Sequence, residues 1–190
     1  MTFPIVRLQV QREPLKPGRA PLRQYDPAAI VPVQSMTVGP RGVQGVDTDG
    51  ELILDVHHQD HPKSRDRKGK AGILLMGTGD YDALRRRYGD HLIDGSAGET
   101  LLLDVPAGLA GRRLPKTVTV LTVAGPVVLR AVRPADPCIE FSRFCLRREV
   151  SPDVDEVLRQ TLIDLDGGAR GYRCIATTDC NISVGDGVSI

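Results

Sequence analysis

The chain has no tryptophan, and only three Phe and four Tyr among its 190 residues. Proteins that hold single-stranded nucleic acid stack bases on aromatic faces, so this scarcity argues against such a platform. An excess of one charge is missing too: 25 Lys and Arg stand against 24 Asp and Glu, a net charge of +1. That balance gives no chain-wide attraction to nucleic acid or to an acidic membrane surface. No apolar run reaches the ~20 residues needed to span a bilayer. The start, Met1-Thr2-Phe3-Pro4-Ile5-Val6-Arg7, has no basic region followed by an apolar one, so it does not read as a signal peptide. Cysteines 138, 145, 174 and 180 form no Cys-x-x-Cys pair, which argues against a zinc knuckle or a thioredoxin-type dithiol. A soluble cytoplasmic protein with reduced thiols is the expectation. The Gly-x-Ser-x-Gly elbow, the Walker loop and the full Gly-x-Gly-x-x-Gly fingerprint are all absent. Gly77-Thr78-Gly79 matches half of the last and reads as a strand-to-helix turn.

What is abundant is turn chemistry, with 20 Gly and 14 Pro, which favours many short strands over long helices. The length suits one well-filled domain over residues 1–190. Val6, Leu8 and Val10 alternate with polar residues at the period of a half-buried strand. Residues 12–28, rich in Pro and charge, form an irregular arm or lid. Val31–Val38 reads as an edge strand because Pro32 cannot donate to a ladder. Further strands fall at Leu52–Val56, Ile73–Met76, Leu101–Val105, Thr117–Val123, Val127–Val132, Tyr172–Ala176 and Ile182–Val184. Tyr81, Leu84 and Tyr88 share a helical face, with Asp80 as N-cap and Gly89 as the stop. Ser151-Pro152 opens a second helix, with Val154, Val157, Leu158, Thr161 and Leu162 as its apolar stripe. The expected fold is mainly β, a barrel or barrel-like sheet with two or three peripheral helices.

Three groups of residues carry chemistry. Arg133-Pro134-Ala135-Asp136-Pro137-Cys138 leaves a strand on an arm stiffened by two prolines. Cys138 at its end is either a buried inert thiol or a soft ligand suited to a soft metal or to sulfur chemistry. Lys63, Arg65, Arg67, Lys68 and Lys70 cluster beside Gly69, and such a loop binds an anion or is simply solvated. His57-His58-Gln59-Asp60-His61 has imidazoles at metal-ligand spacing, but Pro62 breaks a helix there, so solvated loop histidines are expected.

Taken in order, the short motifs resemble the MOSC domain, named after the C-terminus of molybdenum cofactor sulfurase. Gly42-Val43-Gln44-Gly45-Val46-Asp47 is close to that family's Gly-x-x-Gly-Asp segment, with Val46 inserted. The polar loop and strand of 57–76 follow, then Gly98-Glu99-Thr100-Leu101, where Thr100 stands in place of the family's Asn. Pro137-Cys138 matches the Pro-Cys pair at a strand end. Gly167-Gly168-Ala169-Arg170-Gly171 and Val184-Gly185-Asp186 match the Gly-rich turn and the closing Val-Gly-Asp.

The resemblance implies a MOSC β-barrel that binds the molybdenum cofactor. Cys138 would hold the metal. Arg65, Arg67, Lys68, Lys70 and Arg170 would receive phosphate or pterin oxygens, and Glu99 or Asp136 would bond pterin nitrogens or orient a substrate. The implied reaction is two-electron reduction of an N-hydroxylated small molecule, with electrons from a separate donor protein. The alternatives are a sulfur carrier holding a persulfide on Cys138 and a non-catalytic barrel that binds a partner.

Overall fold

The computed structural model describes residues 1–64 and 72–190. Its strands are β1 (Thr2–Gln11), β2 (Ile30–Val33), β3 (Ser35–Gly39), β4 (Gly42–Val46), β5 (Leu52–Leu54) and β6 (Ile73–Gly77), followed by β7 (Leu101–Leu103), β8 (Thr117–Thr122), β9 (Gly125–Pro134), β10 (Tyr172–Ala176), β11 (Cys180–Ser183) and β12 (Gly187–Ser189). Three α-helices, α1 (Thr78–Tyr88), α2 (Ile139–Cys145) and α3 (Glu156–Asp164), and a 3-10 turn at Pro27–Ala29 complete the described elements.

Seven strands in the order β12-β8-β9-β10-β6-β7-β1 close into a barrel through the pairing of β12 with β1. Every pairing is antiparallel except β6 with β7. A smaller sheet, β11-β3-β4-β5, packs on the β1–β2 corner. Gly45 sits at that contact because a Cβ there would come within 2.8 Å of Val33 Cγ1. The mainly β fold with a few helices agrees with the turn-rich sequence.

Alternation sorts side chains onto two faces of the barrel wall. Leu75, Leu101 and Leu103 point into the barrel core with Leu8, Val10, Val118, Val120 and Leu129. Met76 and Leu102 point outward into a second cluster with Tyr81, Leu84, Phe141, Cys145 and Leu165. The run Leu101–Leu103 is wholly buried because the wall is covered on both sides there. Two bulges break the simple alternation. At Val6 the register of β1 shifts, so Ile5 is buried and Val6 is 44% exposed, against the expectation from the 6-8-10 pattern. Ala131, with φ +55°, forms the second, where two residues of β9 oppose one of β10. That extra residue lets Leu129 and Val132 both face the core.

Other expectations are corrected by the hydrogen bonds. Asp80 is not the N-cap of α1. Gly77 is, and Asp80 turns back from the third helical position to accept from the Gly77, Leu109 and Ala110 amides. Ser151-Pro152 does not open α3. Ser151 Oγ accepts from the Asp153 amide in a local turn, and Asp155 caps the helix by accepting from the Leu158 amide. Val31–Val38 is two strands, β2 on the barrel and β3 in the small sheet. Residues 12–28 contain no strand, as expected of an arm, though the 3-10 turn begins at Pro27, and Leu15 and Tyr25 are buried in the second cluster.

Candidate functional site

The arm roofs a cavity of about 240 Å³ on the outer face of the barrel wall. Gln11 at the end of β1, Leu74 in β6, Thr100 just before β7 and Arg173 in β10 form its floor, and Pro14, Leu15, Lys16, Arg23 and Tyr25 come from the arm. The lining is one-sided in charge. Lys16, Arg23, Lys63, Arg170 and Arg173 all reach it, and no carboxylate does among the described residues. Three of these cations are answered nearby: Lys63 by Glu13 at 2.7 Å, and Arg23 and Lys16 by the buried Glu140 at 2.7 and 3.7 Å.

Arg170 and Arg173 have no such answer among the described residues. Arg170 is buried, its guanidinium stacked on Phe141 at 4.3 Å, and its Nη2 donates to Ala97 O at 3.0 Å. Its Nε has no partner among the described residues. Burial opposes its charge, but the neighbouring Cys138 thiol and Tyr25 phenol outweigh that and hold its pKa above the ordinary value. Arg173 is pushed the other way, by burial and by the like charges of Arg133 and Arg170. A buried cation without an anion is costly. Such a pocket suits an anionic ligand.

Cys138 arrives beside Arg170 because the exit of β9 is tied to the Gly-rich turn. Ala135 N donates to Gly171 O at 2.9 Å, and Pro134 lies opposite Tyr172. The chain then turns at Cys138 into α2, with Cys138 O accepting from the Ser142 amide at 3.0 Å. The thiol does not line the cavity itself, but it is half-buried and electrostatically coupled to Arg170, Arg173 and Tyr25, which do. The other thiols are less available. Cys145 is fully buried and pushed up to about 12 by burial. Burial raises Cys174 and Cys180 as well, and Cys180 belongs to the small sheet.

Arg65, Arg67, Lys68 and Lys70 lie outside the described residues. Glu99 is buried but does not line the cavity, although Gly98 and Thr100 on either side do. Its Oε2 accepts from Tyr81 Oη at 2.6 Å, its Oε1 has no partner among the described residues, and burial raises its pKa to about 7 against the pull of that bond. Tyr81 Oη in turn accepts the Gly95 and Ala97 amides, so the pair shapes the wall loop that receives Arg170. Asp136 also stays out of the cavity. It is exposed and faces Arg133 at 3.5 Å.

The histidines are not solvated loop residues as a group. His58 and His61 are buried, and His61 ties the loop to the arm by donating from Nε2 to Arg12 O at 3.0 Å. No group of three metal-ligating side chains exists among the described residues. His57 does line the cavity, with Nδ1 2.8 Å from Oδ1 of buried Asp55. The Asp-x-His spacing in Asp55-Val56-His57 was the available signal for this dyad. Lys16, Arg23 and Arg173 carried no local signal, since only the folded arm and β10 bring them together.

The same fold occurs in solved structures at low identity. A YUAD protein from Bacillus subtilis superposes with a TM-score of 0.57 at 13% identity, covering 99% of this chain and 94% of that one. A protein described as hypothetical superposes at 0.59 and 9% identity, over 100% of this chain and 68% of its own. YiiM from Geobacillus stearothermophilus, a MOSC-domain protein, superposes at 0.55 and 15% identity, over 98% and 74%. At these identities the likeness concerns fold alone, and it supports a MOSC-like fold. No protein-family model and no curated protein sequence matches the chain.

Proposed function

We propose that the chain binds the molybdenum cofactor beneath its arm and reduces N-hydroxylated compounds with electrons from a separate donor protein. The observation that carries this reading is Arg170, a buried cation whose Nε has no partner and whose guanidinium meets no carboxylate among the described residues, under the electrostatic influence of the half-buried Cys138 thiol. The residues fit the group: Arg170 and Arg173 reach the cavity without a carboxylate partner among the described residues and would receive a terminal phosphate or pterin oxygens, and the half-buried Cys138 thiol next to Arg170 would be a soft ligand for the metal. When bound, the cofactor supplies two-electron redox chemistry that no side chain here provides.

The chain's own part is to hold and orient. Cys138 serves as thiolate ligand, its charge balanced by Arg170. Arg170, Arg173, Arg23 and Lys16 donate to anionic oxygens, each such bond contributing roughly 1.5–3 kcal/mol. The arm covers the site, since Leu15 and Tyr25 anchor it in the second apolar cluster. The test is metal analysis of protein made in a host that synthesises the cofactor, followed by anaerobic oxidation of reduced viologen dye with hydroxylamines, amidoximes and N-oxides. Molybdenum near one per chain and dye oxidation support the reading. Cys138→Ser should lose the metal while keeping the fold. If Cys145→Ser loses it and Cys138→Ser does not, the ligand assignment is wrong.

A second reading rests on the same half-buried thiol beside two arginines, which would also stabilise an anionic persulfide. Sulfane sulfur on Cys138 without molybdenum would make the chain a sulfur carrier, loaded by a separate sulfur donor. Neither metal nor sulfane sulfur would leave a partner-binding barrel.

A further inference from the structure

Reducing an N–OH bond needs protons as well as electrons, and the cations of the cavity are poor sources. Lysine and arginine stay protonated near neutral pH. Tyr25 donates to Ser96 O at 2.8 Å, and burial drives its pKa upward. Among the described lining residues, His57 is the one imidazole, a side chain with one nitrogen to hold a partner and another to pass a proton.

The surroundings of His57 orient it for that work. Asp55 is 3% exposed and saturated with donors. Its Oδ2 accepts the Gln11 amide at 2.7 Å, and its Oδ1 accepts the His57 amide at 2.9 Å. The same Oδ1 stands 2.8 Å from His57 Nδ1. Opposite a carboxylate, Nδ1 carries the proton, and Nε2 is left as the exchanging nitrogen. The ring is 36% exposed, and no partner for Nε2 exists among the described residues. Gln11, whose amide anchors Asp55, itself lines the cavity, so the dyad is fastened to the floor of the site.

We propose that His57, held by Asp55, is the proton donor to the ligand bound in this cavity. The inference rests on the reductase reading above. In the overall step the N–O bond breaks, two electrons come from the reduced donor, and two protons are taken up. The products are the N–H compound and water. His57 delivers one proton from Nε2 to the departing oxygen, solvent supplies the other, and the imidazole is reprotonated from water. Asp55 is a positioning residue that selects the tautomer and steadies the imidazolium.

The experiment uses full-length, cofactor-loaded protein with His57→Gln, His57→Ala and Asp55→Asn, reading molybdenum per chain, kcat and KM with reduced viologen and an aryl amidoxime. His57→Gln and His57→Ala should keep their molybdenum and lower kcat by roughly a hundredfold or more, with KM little changed. Millimolar imidazole should restore part of the rate in His57→Ala. Loaded His57→Gln and His57→Ala turning over like the wild type would overturn the proposal. A second arm needs no turnover, and covers the case where Asp55→Asn fails to fold: long-range 15N spectra of histidine-labelled wild-type protein. They should place the His57 proton on Nδ1, and its signals should move on adding inorganic phosphate. A proton on Nε2, or signals indifferent to phosphate, would also sink the idea. If loaded wild-type protein oxidises no dye, the reductase reading fails, while the spectra still decide whether His57 faces the ligand in the stated tautomer.

Discussion

Replacing Arg170 with Met separates ligand binding from folding. In the free protein the substitution loses the bond to Ala97 O and the stacking on Phe141. Those are worth about 1.5–3 and up to about 2 kcal/mol. It also removes a buried charge with no carboxylate partner among the described residues, whose desolvation costs several kcal/mol. The terms oppose each other, and Met keeps most of the apolar volume against Phe141. The net change in unliganded stability should therefore stay within about 2 kcal/mol. Ligand binding has no such offset. Losing one charge-assisted bond from the free Nε weakens an anion by about 1.5–3 kcal/mol, or roughly 10- to 150-fold in Kd.

Thermal unfolding with inorganic phosphate reads both effects. At a phosphate concentration 100 times its wild-type Kd, binding stabilises the wild type by about 2.7 kcal/mol. For a chain of this length that is a rise in Tm of about 5–11 °C. Arg170→Met at the same concentration retains only about 0.3–1.4 kcal/mol of that stabilisation, a few degrees at most. An equal phosphate-induced rise in both proteins would refute Arg170 as the anion's partner. No rise in the wild type would refute the cavity as an anion site altogether.

Two further predictions concern the wall of the cavity. Burial raises Glu99 from 4.5 to about 7, so the folded state binds a proton that the unfolded state has lost across that window. This contribution is full below pH 4.5 and is lost as pH rises through 7, amounting to about 3 kcal/mol. Urea midpoints followed from pH 4.5 to 8 should fall in the wild type, and Glu99→Gln should flatten that fall; an unchanged slope would show that Glu99 is not its source. Gly171 has φ +93°, and a Cβ there would lie 2.5 Å from Leu75 O. Gly171→Ala should cost about 2 kcal/mol or more in chemical denaturation, and a loss below about 0.5 kcal/mol would mean the Gly-rich turn has room to adjust.

Local patterns in the sequence settled the elements that depend on neighbours in the chain. The alternation in Thr117–Thr122 and the glycine-bearing turn at Gly125 specify a hairpin before any partner is known. The apolar run of β7 and the helical spacing of Tyr81, Leu84 and Tyr88 are equally local. The proline-stiffened exit toward Cys138 could be read the same way, and the barrel class followed from many short strands.

The bulges at Val6 and Ala131 were not legible, because a bulge is set by the neighbouring strand and not by the residue that bulges. The site divides along the same line. Cys138 and Arg170 stood out in short motifs, and the fold lines the cavity with Arg170 and sets the half-buried Cys138 thiol next to it, outside the lining. Glu99 and Asp136 occupy equally suggestive positions, but one is drawn to Tyr81 and the other to solvent. Side-chain direction at a loop is chosen by what packs against it. Lys16 and Arg23 come from the arm, His57 from the loop after β5 and Arg173 from β10, three segments well separated in the chain. Only closure of the arm over the barrel wall takes them out of bulk water together, and that shared burial turns scattered charges into a site for an anion.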